Sequence, residues 1–269
     1  MNNQNTNSIA EHLLQSAACC RRFLEMGSLD RISRFVLSCQ QSDGGFRGGG
    51  AQSNLYYTLF AVATLKAIDY PIPIFKVWKY LLSFGTGKGL DLVQLACLIR
   101  LRLAFPMLGT TRRRLFRRLE DFPEHAIHSL FFQLLAREEA ASLGEVVSVS
   151  PDAPTLQLAA AVLVNQQKDL AIEKALLGRF VASGGFLPSS QADAPNLVST
   201  ASALFALVEM NSKLDGIQPP CFKYIESLWR SSGGFAGDVT DESEDVEYTF
   251  YAILAMGCLI QSLASSYGS

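Results

Sequence analysis

Gly233-Gly234-Phe235, followed by Asp245-Val246-Glu247-Tyr248-Thr249, is the stretch whose reading decides the fold. It is written twice more. Gly184-Gly185-Phe186 leads to Asn196-Leu197-Val198-Ser199-Thr200, and Gly44-Gly45-Phe46 leads to Asn54-Leu55-Tyr56-Tyr57-Thr58. Each copy runs from an amphipathic helix through the glycine pair and phenylalanine to a loop of small residues. An Asn or Asp follows, with a Thr four residues on and then an apolar run. A supersecondary phrase that recurs at a period of roughly 30–50 residues signals a repeat architecture. The chemistry of the phrase is structural: Gly accepts positive φ where the chain reverses. The Phe can plug the gap between two helices, and Asn or Asp suits the next helix as an N-terminal cap.

Outward from these copies the same alternation of half-wet and dry helices continues with decay. Residues 1–8 read as a disordered polar tail and 9–269 as one domain. Helices are expected over Ile9–Met26 and, opened by a Ser28 cap, Ser28–Gln40, where Ile32, Phe35, Val36 and Cys39 fall at i, i+3, i+4 and i+7. Asn54–Ile68 is apolar almost all round, as a helix buried between neighbours should be. Ile72–Phe84 pairs with a helix from Asp91, Thr111–Leu119 with one from Glu124, and 138–147 with Thr155–Asn165. Lys168–Val181 with Asn196–Met210, and Ile217–Arg230 with Asp245–Ile260, complete about six hairpins. Only Glu145–Val149 carries a weak strand pattern. Such hairpins close naturally into a ring with the dry helices inside, an all-α fold.

Composition narrows the function. A net charge of −2 over 269 residues supplies no field to recruit nucleic acid or an anionic membrane. The six cysteines form no CxxC pair and sit mostly in apolar helical patterns, which reads as free thiols of a reducing, cytoplasmic compartment. The longest apolar stretch recognised, Leu158–Val164, is too short to span a bilayer, and the N-terminus has no leader pattern.

The three copies resemble the repeat shared by protein prenyltransferase β subunits and the squalene/terpene cyclases. The resemblance covers 44–66, 184–208 and 233–257. It implies an α/α toroid whose central apolar cavity holds an isoprenoid, with Tyr56, Tyr57, Phe60, Phe250, Tyr248 and Tyr251 as lining candidates. In the prenyltransferases a zinc ion is held at the starts of the last two inner helices. The matching residues here are Asn196, Val198 and Tyr248; an alkyl group ligates nothing, so zinc is not expected. The basic residues that hold diphosphate in the family are replaced by Ser190-Gln191-Ala192-Asp193, which leaves Arg47 as the candidate contact. The Asp-x-Asp-Asp proton donor of the cyclases is also absent.

What the chain offers instead is six carboxylates in ten residues, Asp238 to Glu247. Clustered carboxylates raise one another's proton affinity, which makes Asp238, Asp241 and Asp245 the candidate general acids. The same run could bind Mg²⁺ or Ca²⁺ through oxygen ligands, or be a solvated loop ahead of a helix. His125 and His128, three apart beside Glu124, have a metal-compatible spacing without a second pair. Arg112, Arg113, Arg114, Arg117 and Arg118 form a basic face, either solvated or a contact for a phosphate-bearing ligand or protein partner. Two functions follow: a toroid that cyclises or transfers an isoprenoid without zinc, or an inactive relative kept for lipid binding or protein contacts.

Overall fold

The computed structural model describes residues 8–104, 109–122, 131–132, 135–136 and 146–266. Its helices are α1 (Ile9–Ala18), α2 (Met26–Ser38), α3 (Leu55–Ala67), α4 (Ile74–Leu82), α5 (Leu92–Leu103), α6 (Gly109–Glu120), α7 (Thr155–Asn165), α8 (Leu170–Leu177), α9 (Leu197–Glu209), α10 (Gln218–Ser227) and α11 (Val246–Ser266). The inner wall is α7, α9, α11, α3 and α5, each packed on the next. The expected helix from Glu124, with His125 and His128, and the helix expected over 138–147 lie outside the described residues, apart from short pieces. Residues 146–150 form no strand.

The repeat phrase accounts for the wall. Asn54, Asn196 and Asp245 cap α3, α9 and α11, accepting from the amides of Tyr57, Ser199 and Tyr248 at 2.9, 2.8 and 2.9 Å. The recurring Thr has a second task. Thr58 and Thr200 each accept the amide proton of the repeat phenylalanine at 2.9 Å, and Thr249 does so at 3.3 Å. Each threonine hydroxyl in turn donates to the carbonyl of its cap residue. Phe46, Phe186 and Phe235 are fully buried. Because a buried N–H without an acceptor costs about 1–3 kcal/mol, the Thr is as much part of the fold signal as the glycines.

The glycines explain closure. Gly44, Gly184 and Gly233 hold φ of 98°, 97° and 103°. A Cβ on each would overlap a backbone carbonyl of the next outer helix: Lys76 of α4, Pro220 of α10 and, for the last copy, Arg31 of α2. The second glycine lies against an aromatic ring four residues further along the same helix: Tyr80, Tyr224 and Phe35. The final hairpin therefore docks on the first outer helix by the contact that joins any hairpin to its successor. Arg31 fastens this seam, donating to the carbonyls of Arg230 and Ser231 and lying 5.2 Å from the Trp229 ring centroid. The ring closes through its own repeat.

Three expectations need correction. The helix read through to Met26 stops at Ala18 and passes through a 3₁₀ turn, Cys19–Arg22. Ser28 is no cap: α2 begins at Met26, two residues earlier, with Glu25 at the cap position and no side-chain bond there. The longest apolar helix is α11, long and apolar enough to cross a membrane, although most of that stretch is buried against its neighbours, as in a core helix. Five of the six cysteine thiols are buried and none is paired. Arg112, Arg113, Arg114 and Arg117 lie exposed on α6, and Arg118 is half-buried.

Helix α1 belongs to no hairpin. A capping box, Ser8 with Glu11, starts it. It crosses the inner wall near the ends of α9 and α11, where His12 Nδ1 lies 3.0 Å from Glu209 and Ser16 donates to Gln261 at 2.9 Å. Gly257 permits the crossing, since a Cβ there would overlap the Ser16 carbonyl.

Candidate functional site

The ring encloses a cavity of about 220 Å³. Its wall is made by Tyr56, Leu59, Phe60 and Ala63 of α3, Leu156, Ala159, Ala160 and Leu163 of α7, Ser202 and Phe205 of α9, and Phe250, Tyr251 and Leu254 of α11. Ala10, Leu13 and Leu14 of α1, Cys97 of α5, and Phe131, Phe132 and Leu135 also line it. At its centre Phe60 meets Tyr56 edge-on at 4.8 Å between centroids, Tyr251 at 5.4 Å and Phe250 at 5.5 Å. Arg100 of α5 adds a cationic residue to this largely apolar surface.

Of the expected lining residues, Tyr56, Phe60, Phe250 and Tyr251 are on the wall; Tyr57, Tyr248 and Arg47 are not. Three residues after the cap, a helical side chain turns away from the axis toward the repeat loop. There Tyr57 lies over Gly48 and Tyr248 over Gly237, each ring filling the space a side chain would need. Arg47 donates to the carbonyls of Gly48 and Gly50 and holds its own loop.

The acidic run divides the same way. Asp238 accepts from the Thr240 hydroxyl and amide and from the Asp241 amide, and Asp241 from the Ser243 hydroxyl and amide. These bonds hold both carboxyls below the usual range, first through the hydroxyls. That is opposite to the raised affinity expected of mutual repulsion, because turn hydrogen bonding outweighs charge in an open loop. Asp245 is 8% exposed and caps α11; burial pushes its carboxyl up.

Glu247 is the residue the sequence reading passed over. Its Oε1 accepts a hydrogen bond from the Tyr56 hydroxyl at 2.7 Å. Burial is the chief cause raising its proton affinity, with the Asp245 charge adding to it against the opposing Tyr56 bond. Burial likewise pushes the Tyr56 and Tyr251 phenols up. The signal was available: Glu247 stands two residues after its cap, as Tyr56 and Val198 do after theirs. Applying the Val198 position to the last copy selects it.

At the positions that match the family's zinc ligands, Asn196 is an amide engaged as a helix cap, Val198 an alkyl chain and Tyr248 a phenol packed on Gly237, a poor donor set for zinc. Among the described residues, no three His, Cys, Asp or Glu side chains are grouped to hold a metal ion.

A family model for the prenyltransferase alpha-alpha toroid domain matches residues 3–90 and 152–266. The chain belongs to that family. Among solved structures the toroid is similar to the type II terpene cyclase MstE from Scytonema in its apo form, at 12% identity and a TM-score of 0.56, covering 88% of this chain and 97% of that one. A second match, at 12% identity and a TM-score of 0.49, is a substituted form of that enzyme in complex with its substrate, geranylgeranyl dihydroxybenzoate. It covers 95% of this chain and 99% of that one. No curated protein matches the sequence. The apo match supports the toroid fold and nothing finer.

Proposed function

We propose that this toroid takes an isoprenoid chain into its central cavity and protonates it there, the opening step of a cyclisation. The observation that carries the reading is the bond joining a half-buried carboxyl, Glu247, to the aromatic wall through Tyr56. A largely apolar, aromatic-lined cavity with a few polar groups is the usual form of a small-molecule site. A carboxyl whose proton affinity is raised by burial keeps its proton nearer neutral pH, as a general acid must. In the step itself Glu247 is protonated and its carboxyl becomes the donor in that bond, so that the Tyr56 hydroxyl gives its own proton to an alkene carbon while taking one from Glu247. The π pair becomes the new C–H bond, Glu247 is left as carboxylate and the cation sits against Phe60, Phe250 and Tyr251. Each ring face stabilises a desolvated cation by about 0.5–2 kcal/mol. Transfer of a proton from a neighbouring carbon back through Tyr56 to the Glu247 carboxylate restores an alkene and the starting acid, so no oxidant or reductant is consumed. In this scheme Asp245 acts by raising the proton affinity of Glu247, and Asp238 and Asp241 shape the loop.

The test is incubation with farnesyl diphosphate, geranylgeranyl diphosphate and squalene, following binding by calorimetry and products by mass spectrometry. Product lost in Glu247→Gln and in Tyr56→Phe, with binding retained, is the expected result. Binding without any product supports a lipid-binding module instead, and no binding of any of the three removes the reading.

A further inference from the structure

Beneath the cavity lies a second recess, of about 180 Å³, lined by Ile9 and His12 of α1, Leu163 at the end of α7, Gln166, Gln167 and Lys168 after it, and Phe205, Glu209 and Met210 at the end of α9. Leu163 and Phe205 also line the central cavity, so two apolar side chains are all that the linings have in common at their boundary. We propose that this recess seats the polar, uncharged, hydrogen-bond-donating head of a ligand whose isoprenoid tail fills the cavity. The proposal rests on the reading above and fixes the orientation of the chain.

Length sets the orientation. α9 and α11 run side by side in the same direction, Glu247 two residues after its cap and Glu209 thirteen after its own. At ~1.5 Å per residue the two levels are ~16 Å apart, the reach of a chain of a few isoprene units. The tail then lies at the Tyr56–Glu247 end and the head at the α1 end.

Charge decides what kind of head fits. α7 and α9 both end at the recess, and helix C-termini carry the negative pole of the macrodipole. Its charged side chains are already matched: His12 lies 3.0 Å from Glu209, and Lys168 lies 3.2 Å from Glu173 just outside. A diphosphate placed here meets a carboxylate and two helix C-termini against one lysine that is already paired. An alcohol or phenol meets the Glu209 carboxylate as acceptor and the amides of Gln166 and Gln167. The unusual half of the ligand is thus read by the part of the fold that the repeat does not specify.

The test compares geranylgeraniol, geranylgeranyl diphosphate and the fully saturated hydrocarbon of the same carbon skeleton, titrated into the full chain. The alcohol should bind at least tenfold more tightly than either. Glu209→Leu should remove that advantage over the hydrocarbon. Because Glu209 also holds α1, Gln167→Trp serves as a second variant: an exposed residue whose enlargement blocks the recess, expected to weaken the alcohol about tenfold and leave the hydrocarbon unchanged. Equal binding of alcohol and hydrocarbon, tighter binding of the diphosphate, or an alcohol insensitive to both variants overturns the head-group assignment. If all three ligands fail to bind, the isoprenoid reading itself has failed.

Discussion

The Gly-Gly-Phe turns and the part of the cavity wall formed by α3, α9 and α11 are built from the same three stretches, yet they differ in what they tolerate. At the turns the copies are alike: glycine against the neighbouring helix's carbonyl, buried Phe, Thr under its amide, and a capping Asn or Asp. Two residues after each cap the copies diverge into Tyr56, Val198 and Glu247. The identical positions are the ones backbone geometry dictates; the divergent position is where the ring can be given chemistry. A toroid of this kind separates scaffold and site by only a few residues within every repeat.

The sharpest way to break that contrast is at the seam. Gly233→Val puts a β-branched residue at φ 103° and into the Arg31 carbonyl. It should cost about 3–5 kcal/mol by urea denaturation or prevent folding. Gly49→Ala, with nothing within 4 Å of the added carbon, should cost no more than about 0.5 kcal/mol. Comparable losses from both would dissolve the claim that hairpin docking depends on the first glycine.

A smaller effect separates the threonines from the cap. Thr200→Val leaves the buried Phe186 amide without its acceptor and should destabilise by about 1–3 kcal/mol, measured by the same denaturation. An unchanged midpoint would mean that the Thr is tolerated rather than required.

The wall should behave in the opposite sense. Burial raises the proton affinity of Glu247 and Asp245, so the folded state favours their protonated forms. That contribution is complete below their ordinary values of 4.5 and 3.8 and is lost as pH rises through the higher folded values. Asp238 and Asp241 shift the other way; their contribution is lost only as pH falls below 3.8 and is constant between pH 5 and 8. Glu247→Gln should therefore raise Tm at pH 8 more than at pH 5, a modest difference resolvable by calorimetry. No dependence on pH would place Glu247 in an ionised, well-solvated setting.

This division also explains what could be read from sequence. The hairpins, the inner helices and their caps at Asn54, Asn196 and Asp245 were legible because the turn is dictated residue by residue. The missing positions depend on rotation about a helix. Tyr57 and Tyr248 look like lining residues until the turn's third small residue is noticed: Gly48 and Gly237 occur where a Tyr must be accommodated, and Pro188 stands where the partner is Ser199. Helix α1 was visible as a helix, but its place across the wall was not, because nothing in a repeat predicts an element outside it. The carboxyl run was conspicuous for its charge, while the member that reaches the cavity wall is distinguished only by its register.

That the wall encloses a site for an isoprenoid chain can be checked by titrating geranylgeraniol into the intact chain and into Ser202→Trp. Ser202 is a small, half-buried residue on the cavity wall, and an indole there fills the space the ligand needs. Saturable binding by the original chain, lost in the folded variant, is the predicted result. Binding of equal strength in both, or none in either, would contradict it.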